Sequence, residues 1–283
     1  MHVAREGAGV GPAVRALASQ VHPVFMLPPV AAALFGAALA GLEFLWLALV
    51  HAVAVFAALY TAHVKDGYVD FHVRGEDDDH PLTAPGCRAA MALSSLVFFA
   101  CLAVILVAAG PVAALLSLPG WVIGYLHAPQ LDMNPVTATT GYPLGIAFAL
   151  LSGFYVQAGA LGPTVLAFAV VFLTILSGIK VVDDATDYAY DRSIGKRTVA
   201  VVLGVDRAHR TAYGLMGLGL LAVAAGAALG YLPTGAALAP LAFAVVAAFA
   251  WRAEPELATM LLIRGSYLFL AVLVAAVWFR PLG

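Results

Sequence analysis

Long stretches of this chain carry no Asp, Glu, Lys or Arg: Ala16 to Leu42, Phe44 to Val64, Ala89 to Leu131, Met133 to Ile179 and Thr211 to Trp251. A further apolar run, Leu257 to Phe279, contains only Arg264. Charged residues make up 11% of the chain and hydrophobic ones 63%. A soluble domain has about 25% charged residues. Side chains like these cannot cover a water-facing surface, so the bilayer must be the solvent. A membrane-crossing helix needs about 20 apolar residues. The first two stretches and the last hold one helix each, and the other three hold two. Gly110-Pro111, Gly159 to Pro163 and Gly230 to Gly235 mark the midpoints of those three. The spacing predicts an all-α, multi-pass protein with nine helices. They cover roughly 22–41, 44–65, 89–109, 111–128, 140–159, 163–181, 210–230, 235–251 and 260–279.

The distribution of cations tests that count. With the N-terminus in the cytoplasm, every Lys and Arg falls on the inner side except Arg280 at the C-terminal end. The expectation is a multi-pass protein of the cell membrane with its long polar loops, Lys65 to Arg88 and Lys180 to Arg210, on the cytoplasmic face. A single domain is expected over 1–283, with 1–15 a mobile N-terminal segment. Met1 to Gly11 lack the pattern of a cleaved signal peptide. The net charge is −2, and no basic patch with interleaved aromatics suggests nucleic acid. Cys87 and Cys101, at or inside one apolar segment, read as small apolar residues, with no disulfide and no metal site expected.

Two acidic clusters carry the chemistry. Asp183, Asp187 and Asp191 recur every four residues, and so do Asp66 and Asp70. On a helix that spacing keeps side chains on one face. Carboxylates stacked on one face repel, unless a divalent cation sits among them. Mg²⁺ takes oxygen ligands, commonly one or two carboxylates together with substrate phosphates. All five aspartates are therefore the candidate catalytic and Mg²⁺-binding residues. Lys65, Arg74, Lys180, Arg192 and Lys196 lie near the two clusters and are candidates to take the remaining oxygens of a diphosphate. Against this stands the plain reading of each acid as a solvated helix end and each cation as a membrane-surface anchor. Gly195-Lys196-Arg197-Thr198 is not a nucleotide-binding loop, because Arg197 separates Lys from Thr, no Gly lies at the required upstream spacing and no strand precedes it.

These residues resemble the UbiA family of membrane prenyltransferases. Asp187 and Asp191, followed by Gly195-Lys196-Arg197-Thr198-Val199-Ala200-Val201-Val202-Leu203-Gly204, match its second motif and the G-K-x-T-L-x-V-x-L-G stretch after it. Tyr125 to Pro129 is similar to its Y-x-x-x-P segment, and Gly141 to Gly159 looks like the menaquinone-branch members. The first motif departs: Gly67 stands at a usual Asp, Arg74 at the usual last Asp, and His80-Pro81-Leu82 replaces R-P-L.

The resemblance implies nine helices around a central cavity and Mg²⁺ as cofactor. The partners it implies are a prenyl diphosphate, such as geranylgeranyl diphosphate, and a lipophilic acceptor such as a quinone-precursor ring. Tyr125 and Tyr155 are candidate contacts to the acceptor or to the allylic cation. Alternatives are a carotenoid or glycerol-phosphate lipid acceptor, or a non-catalytic relative that binds prenyl lipids. A transporter is disfavoured, because acids and bases map to helix ends rather than to the bilayer midplane.

Overall fold

The computed structural model describes residues 2–279, so Arg280 lies outside the described residues. Among these residues the chain forms helices and no strand, apart from one bridge pairing Ala4 with Leu82. In a hydrocarbon solvent every backbone N–H and C=O must be paired internally, and a helix does this within one segment. The elements are α1 (Val10–Ala18), α2 (Pro23–Leu39), α3 (Leu45–Gly67), α4 (Ala84–Ala109), α5 (Pro111–Leu126), α6 (Pro135–Ala158), α7 (Pro163–Thr186), α8 (Tyr188–Ser193), α9 (Val199–Leu203), α10 (Val205–Ala228), α11 (Leu238–Ala250) and α12 (Pro255–Phe279). A π-helical turn, Tyr68–Arg74, continues α3, and a second, His127–Leu131, continues α5.

The local sequence explains several boundaries. Pro23, Pro111 and Pro163 open their helices, where a missing N–H costs nothing. Gly110 ends α4 and caps α5 with φ 88, a left-handed value that a side chain would resist. Thr83 caps α4 by accepting from the Gly86 N–H at 3.0 Å.

Among the described residues seven helices are long and apolar enough to cross a membrane, and the bent pair α1 and α2, if counted as one span, would be an eighth. The ninth expected span corresponds to the shorter apolar helix over Thr234–Ala250. The expected count of nine is therefore not reached by length, although each expected span has a helix at its position. The chain is read as a multi-pass membrane protein. Residues 2–15, expected to form a mobile segment, carry structure: Arg5 pairs with Asp79 at 2.6 Å, and α1 begins at Val10.

Contacts divide the chain into two compact units. The first comprises residues 1–131 and 148–160. In it α3 packs against α2, α4 and α5. Small residues set the closest approach there. A Cβ on Gly36 would meet the Leu150 carbonyl oxygen, and one on Gly153 would meet that of Ala33. Polar side chains join helices in the same unit. His51 Nε2 lies 2.7 Å from Ser152 Oγ, and Gln157 accepts from the Phe44 N–H at 2.8 Å while donating to its carbonyl at 3.1 Å. These groups serve packing, as interhelical polar contacts commonly do in membranes.

The second unit comprises residues 132–147 and 161–283. There α7 packs against α10 and α12, and α11 packs against α12. Gly178 is again a close-approach point, facing the Ala212 carbonyl and Met216.

Replacing Gly153 by Val forces α2 and α6 apart. The expected cost is about 1–3 kcal/mol, the range for overpacking a fitted contact. It is read as a lower thermal midpoint in detergent, and an unchanged midpoint contradicts the packing described.

Candidate functional site

The four-residue spacing of Asp183, Asp187 and Asp191 does not run along one continuous helix. α7 extends to Thr186, further than the expected 181, and ends at Asp187, whose φ −96 and ψ 12 lie outside the helical range. The short α8 then begins at Tyr188. The helical bond across the break persists, since the Asp191 N–H donates to the Asp187 carbonyl at 2.8 Å.

Lys180 organises this end of α7. Its Nζ lies 2.7 Å from Asp183 Oδ2 and 2.7 Å from Asp184 Oδ1, one turn along the helix in each case. Asp184 is only 3% exposed, and its Oδ2 is buried with no hydrogen-bond partner among the described residues. Asp191 is 1% exposed, with its Oδ2 in the same condition. Lys196 Nζ lies 3.3 Å from Asp191 Oδ1, and the Lys196 N–H donates to the Asp191 carbonyl at 2.9 Å. Thr198, fully buried, caps α9 with its Oγ1. The Gly195 to Gly204 stretch thus closes back on Asp191.

Burial pushes the Asp187 carboxyl above the ordinary carboxylate range, and Asp183 beside it adds to the shift, while Lys180 and Lys196 oppose it. Burial does the same at Asp191, again opposed by Lys196. A carboxylate held in this way gains from a bound divalent cation, which restores the preference for the charged form.

The sequence reading missed Asp184. The signal was present as its spacing of four from Lys180, but the adjacent Asp183 fits the periodic pattern and Asp184 does not. Burial distinguishes the two: the Asp183 side chain is 34% exposed and that of Asp184 is 3%.

The first cluster lies at the end of α3. Asp70 falls in the π-helical turn, which widens the ladder to i→i+5 bonds. Arg74 lies 3.6 Å from Asp70 and 3.7 Å from Glu76, a second acid that the periodic reading did not select. The Glu76 N–H donates to the Asp70 carbonyl at 2.7 Å, folding the acidic loop back onto the turn. Asp66 is 4.0 Å from His127 Nε2.

The cations named from sequence are occupied by protein groups. Lys65 donates to the Tyr125 carbonyl at 2.7 Å and sits 4.3 Å over the Tyr125 ring. Arg192 reaches the Tyr188 hydroxyl at 3.3 Å. Tyr125 also stacks on Trp121, at 5.1 Å. Tyr155 packs against the apolar cluster of Leu47, Phe98 and Val156.

Carboxylate oxygens such as those of Asp184, Asp187 and Asp191 suit Mg²⁺ rather than a softer metal, although these three do not converge into a ready-made metal-ligand cluster among the described residues. Two buried carboxylate oxygens that lack a proton donor are what a cation-binding site requires.

No family model matches the chain, and no curated protein matches its sequence. Solved structures do match it. A UbiA homologue from Aeropyrum pernix K1 superposes with a TM-score of 0.74 at 18% identity, covering 90% of this chain and 98% of that one. A structure described for digeranylgeranylglyceryl phosphate synthase gives 0.72 at 14% identity, over 94% and 98%. A UbiA homologue from Archaeoglobus fulgidus bound to GPP and Mg²⁺ gives 0.59 at 17% identity, over 94% and 99%. These likenesses define the fold: an all-α, multi-pass membrane fold of the UbiA type.

Removing the cation beside Asp184 isolates a buried charge. Lys180→Met is expected to destabilise the protein by about 3–5 kcal/mol, as for one partner lost from a buried pair. Lys180→Met/Asp184→Asn is expected to recover part of that loss. Thermal unfolding in detergent measures both, and a double variant no more stable than the single one contradicts the pairing.

Proposed function

We propose that this chain is a membrane prenyltransferase that moves a prenyl group from an isoprenoid diphosphate to a lipophilic acceptor. The observation that carries the reading is the end of α7, where buried Asp184 pairs with Lys180 and buried Asp191 pairs with Lys196, with Asp187 between them in the chain, on a protein otherwise built of apolar helices. The likeness of the fold to a homologue bound to GPP and Mg²⁺ supports it.

In this reading Asp183, Asp184, Asp187 and Asp191 would hold Mg²⁺ in the second unit, and Asp66 and Asp70 are proposed as Mg²⁺-binding carboxylates of the first. Lys196 and Arg192 pair with phosphate oxygens, with Lys65, Arg74 and Lys180 supporting the acids beside them. Bound Mg²⁺ would neutralise charge that grows on the departing diphosphate. The bond from the allylic carbon to the diphosphate oxygen breaks, and its electron pair leaves with the diphosphate. The acceptor attacks the allylic carbon and then loses a proton. The prenyl tail lies against apolar side chains, where burial is worth about 0.8 kcal/mol per CH₂. Tyr125 and Tyr155 are proposed contacts for the acceptor or the developing cation. The acidic ends of α3 and α7 then lie on the cytoplasmic face of the cell membrane, as the cation distribution requires.

For the acceptor, Gly141 to Gly159 favours a quinone-precursor ring. A glycerol-phosphate lipid is the second reading, favoured by the likeness to the structure described for digeranylgeranylglyceryl phosphate synthase.

Membranes containing the protein, given labelled geranylgeranyl or farnesyl diphosphate, lipid extract and Mg²⁺, are expected to move label into lipid, and the product mass identifies the acceptor. EDTA is expected to abolish transfer. Asp187→Ala and Asp184→Ala are each expected to lower it by about 100-fold or more, the scale for losing one group that stabilises developing charge. Transfer that persists in EDTA or in both variants contradicts the proposal.

A further inference from the structure

A second cluster of metal-ligating side chains lies in the first unit, outside the acidic residues assigned to Mg²⁺. His72 lies in the π-helical turn after α3, His80 in the following loop, and Cys87 in the first turn of α4. One ligand atom from each comes within 4.8 Å of the others. Cys87 Sγ is 3.9 Å from His80 Nδ1. His72 Nε2 and His80 Nδ1 lie 3.1 and 3.2 Å from the same Leu82 carbonyl oxygen. His80 is 5% exposed and Cys87 is fully buried.

Hydrogen bonding alone does not account for this arrangement. The Leu82 N–H and C=O both lie 3.2 Å from the one Nδ1 of His80, and that atom either accepts or donates. If Nδ1 accepts from Leu82, the proton sits on Nε2, which is buried without a partner among the described residues. If Nδ1 donates, the Leu82 N–H loses this acceptor and the Nε2 lone pair stays bare. Two imidazoles and a thiol on one buried point instead form the ligand set of a borderline cation.

We propose that His72, His80 and Cys87 bind a transition-metal cation of the Zn²⁺ class. Zn²⁺ bonds of about 2.0–2.3 Å place tetrahedral ligand atoms some 3.3–3.8 Å apart, so the observed spacing closes with shifts of under about 1 Å. Imidazole and thiolate ligands discriminate against Mg²⁺, which prefers the oxygen-rich clusters. The Leu82 carbonyl oxygen, already beside both ring nitrogens, or a water takes the fourth position. Burial lowers the tendency of His80 to protonate, which keeps its imidazole in the ligand form. His80 is also where the sequence departs from the Arg of the related motif. The ion would tie the turn carrying Asp70 to the start of α4, at the point where Ala4 pairs with Leu82.

The test uses the full chain in detergent, loaded with Zn²⁺ or Co²⁺ and desalted. The expected result is one Zn²⁺ retained per chain, with Cys87→Ser and His72→Gln each weakening retention at least about tenfold. Co²⁺-loaded protein is expected to show a thiolate-to-metal charge-transfer band. Cys87→Ser should remove that band, and Asp187→Asn, which alters the other cluster, should keep it. The Co²⁺ spectrum of the unaltered chain does not depend on any variant folding. Co²⁺ bound without a thiolate band, or no metal retained, overturns the proposal, as does Zn²⁺ held equally well by Cys87→Ser.

Discussion

A solvent that offers no hydrogen bonds sets every other choice in this protein. Backbone groups must pair within helices, and charge must collect where helices end. The acids and cations proposed to carry chemistry are confined by that requirement to the ends of α3 and α7 and the loops beyond them. Within the apolar helices some polar groups are matched, as in His51 with Ser152 and Gln157 with Phe44, while the Thr139 and Ser177 hydroxyls are buried with no partner among the described residues. Helices approach where side chains shrink to glycine, at Gly36, Gly153 and Gly178.

At the end of α7 the same physics makes burial of acids costly and therefore informative. Asp184 and Asp191 are almost fully enclosed, each with one oxygen paired to a lysine and one without a partner among the described residues. Lys180 and Lys196 neutralise part of the charge, and Asp187 remains pushed above the ordinary carboxylate range. The proposed divalent cation would complete the compensation. The cluster at His72, His80 and Cys87 differs in kind: its ligands are nitrogen and sulfur, and so it favours a different ion.

Much of this was legible in sequence because absence of charge is a strong signal. The gaps between charged residues located each apolar helix, and Gly110-Pro111 marked the turn between α4 and α5. Helix ends were less visible. Polar residues such as Lys180 and Asp183 look like loop, yet α7 continues through them to Thr186. Periodicity selected Asp183 and passed over Asp184, because adjacent helical residues point about 100° apart and only burial decides which one faces inward. The π-helical turn at Tyr68–Arg74 left no pattern to read. Cys87 read as a plain apolar residue because its partners, His72 and His80, come from a loop whose path the sequence does not encode in any period.

The central claim is that carboxylates at the end of α7 bind a prenyl diphosphate through a divalent cation. The direct measurement is a calorimetric titration of the detergent-purified protein with a non-reacting prenyl thiodiphosphate, with and without Mg²⁺. The account predicts binding that requires Mg²⁺ and disappears in Asp187→Ala. Binding of equal strength in EDTA, or in Asp187→Ala, would contradict it.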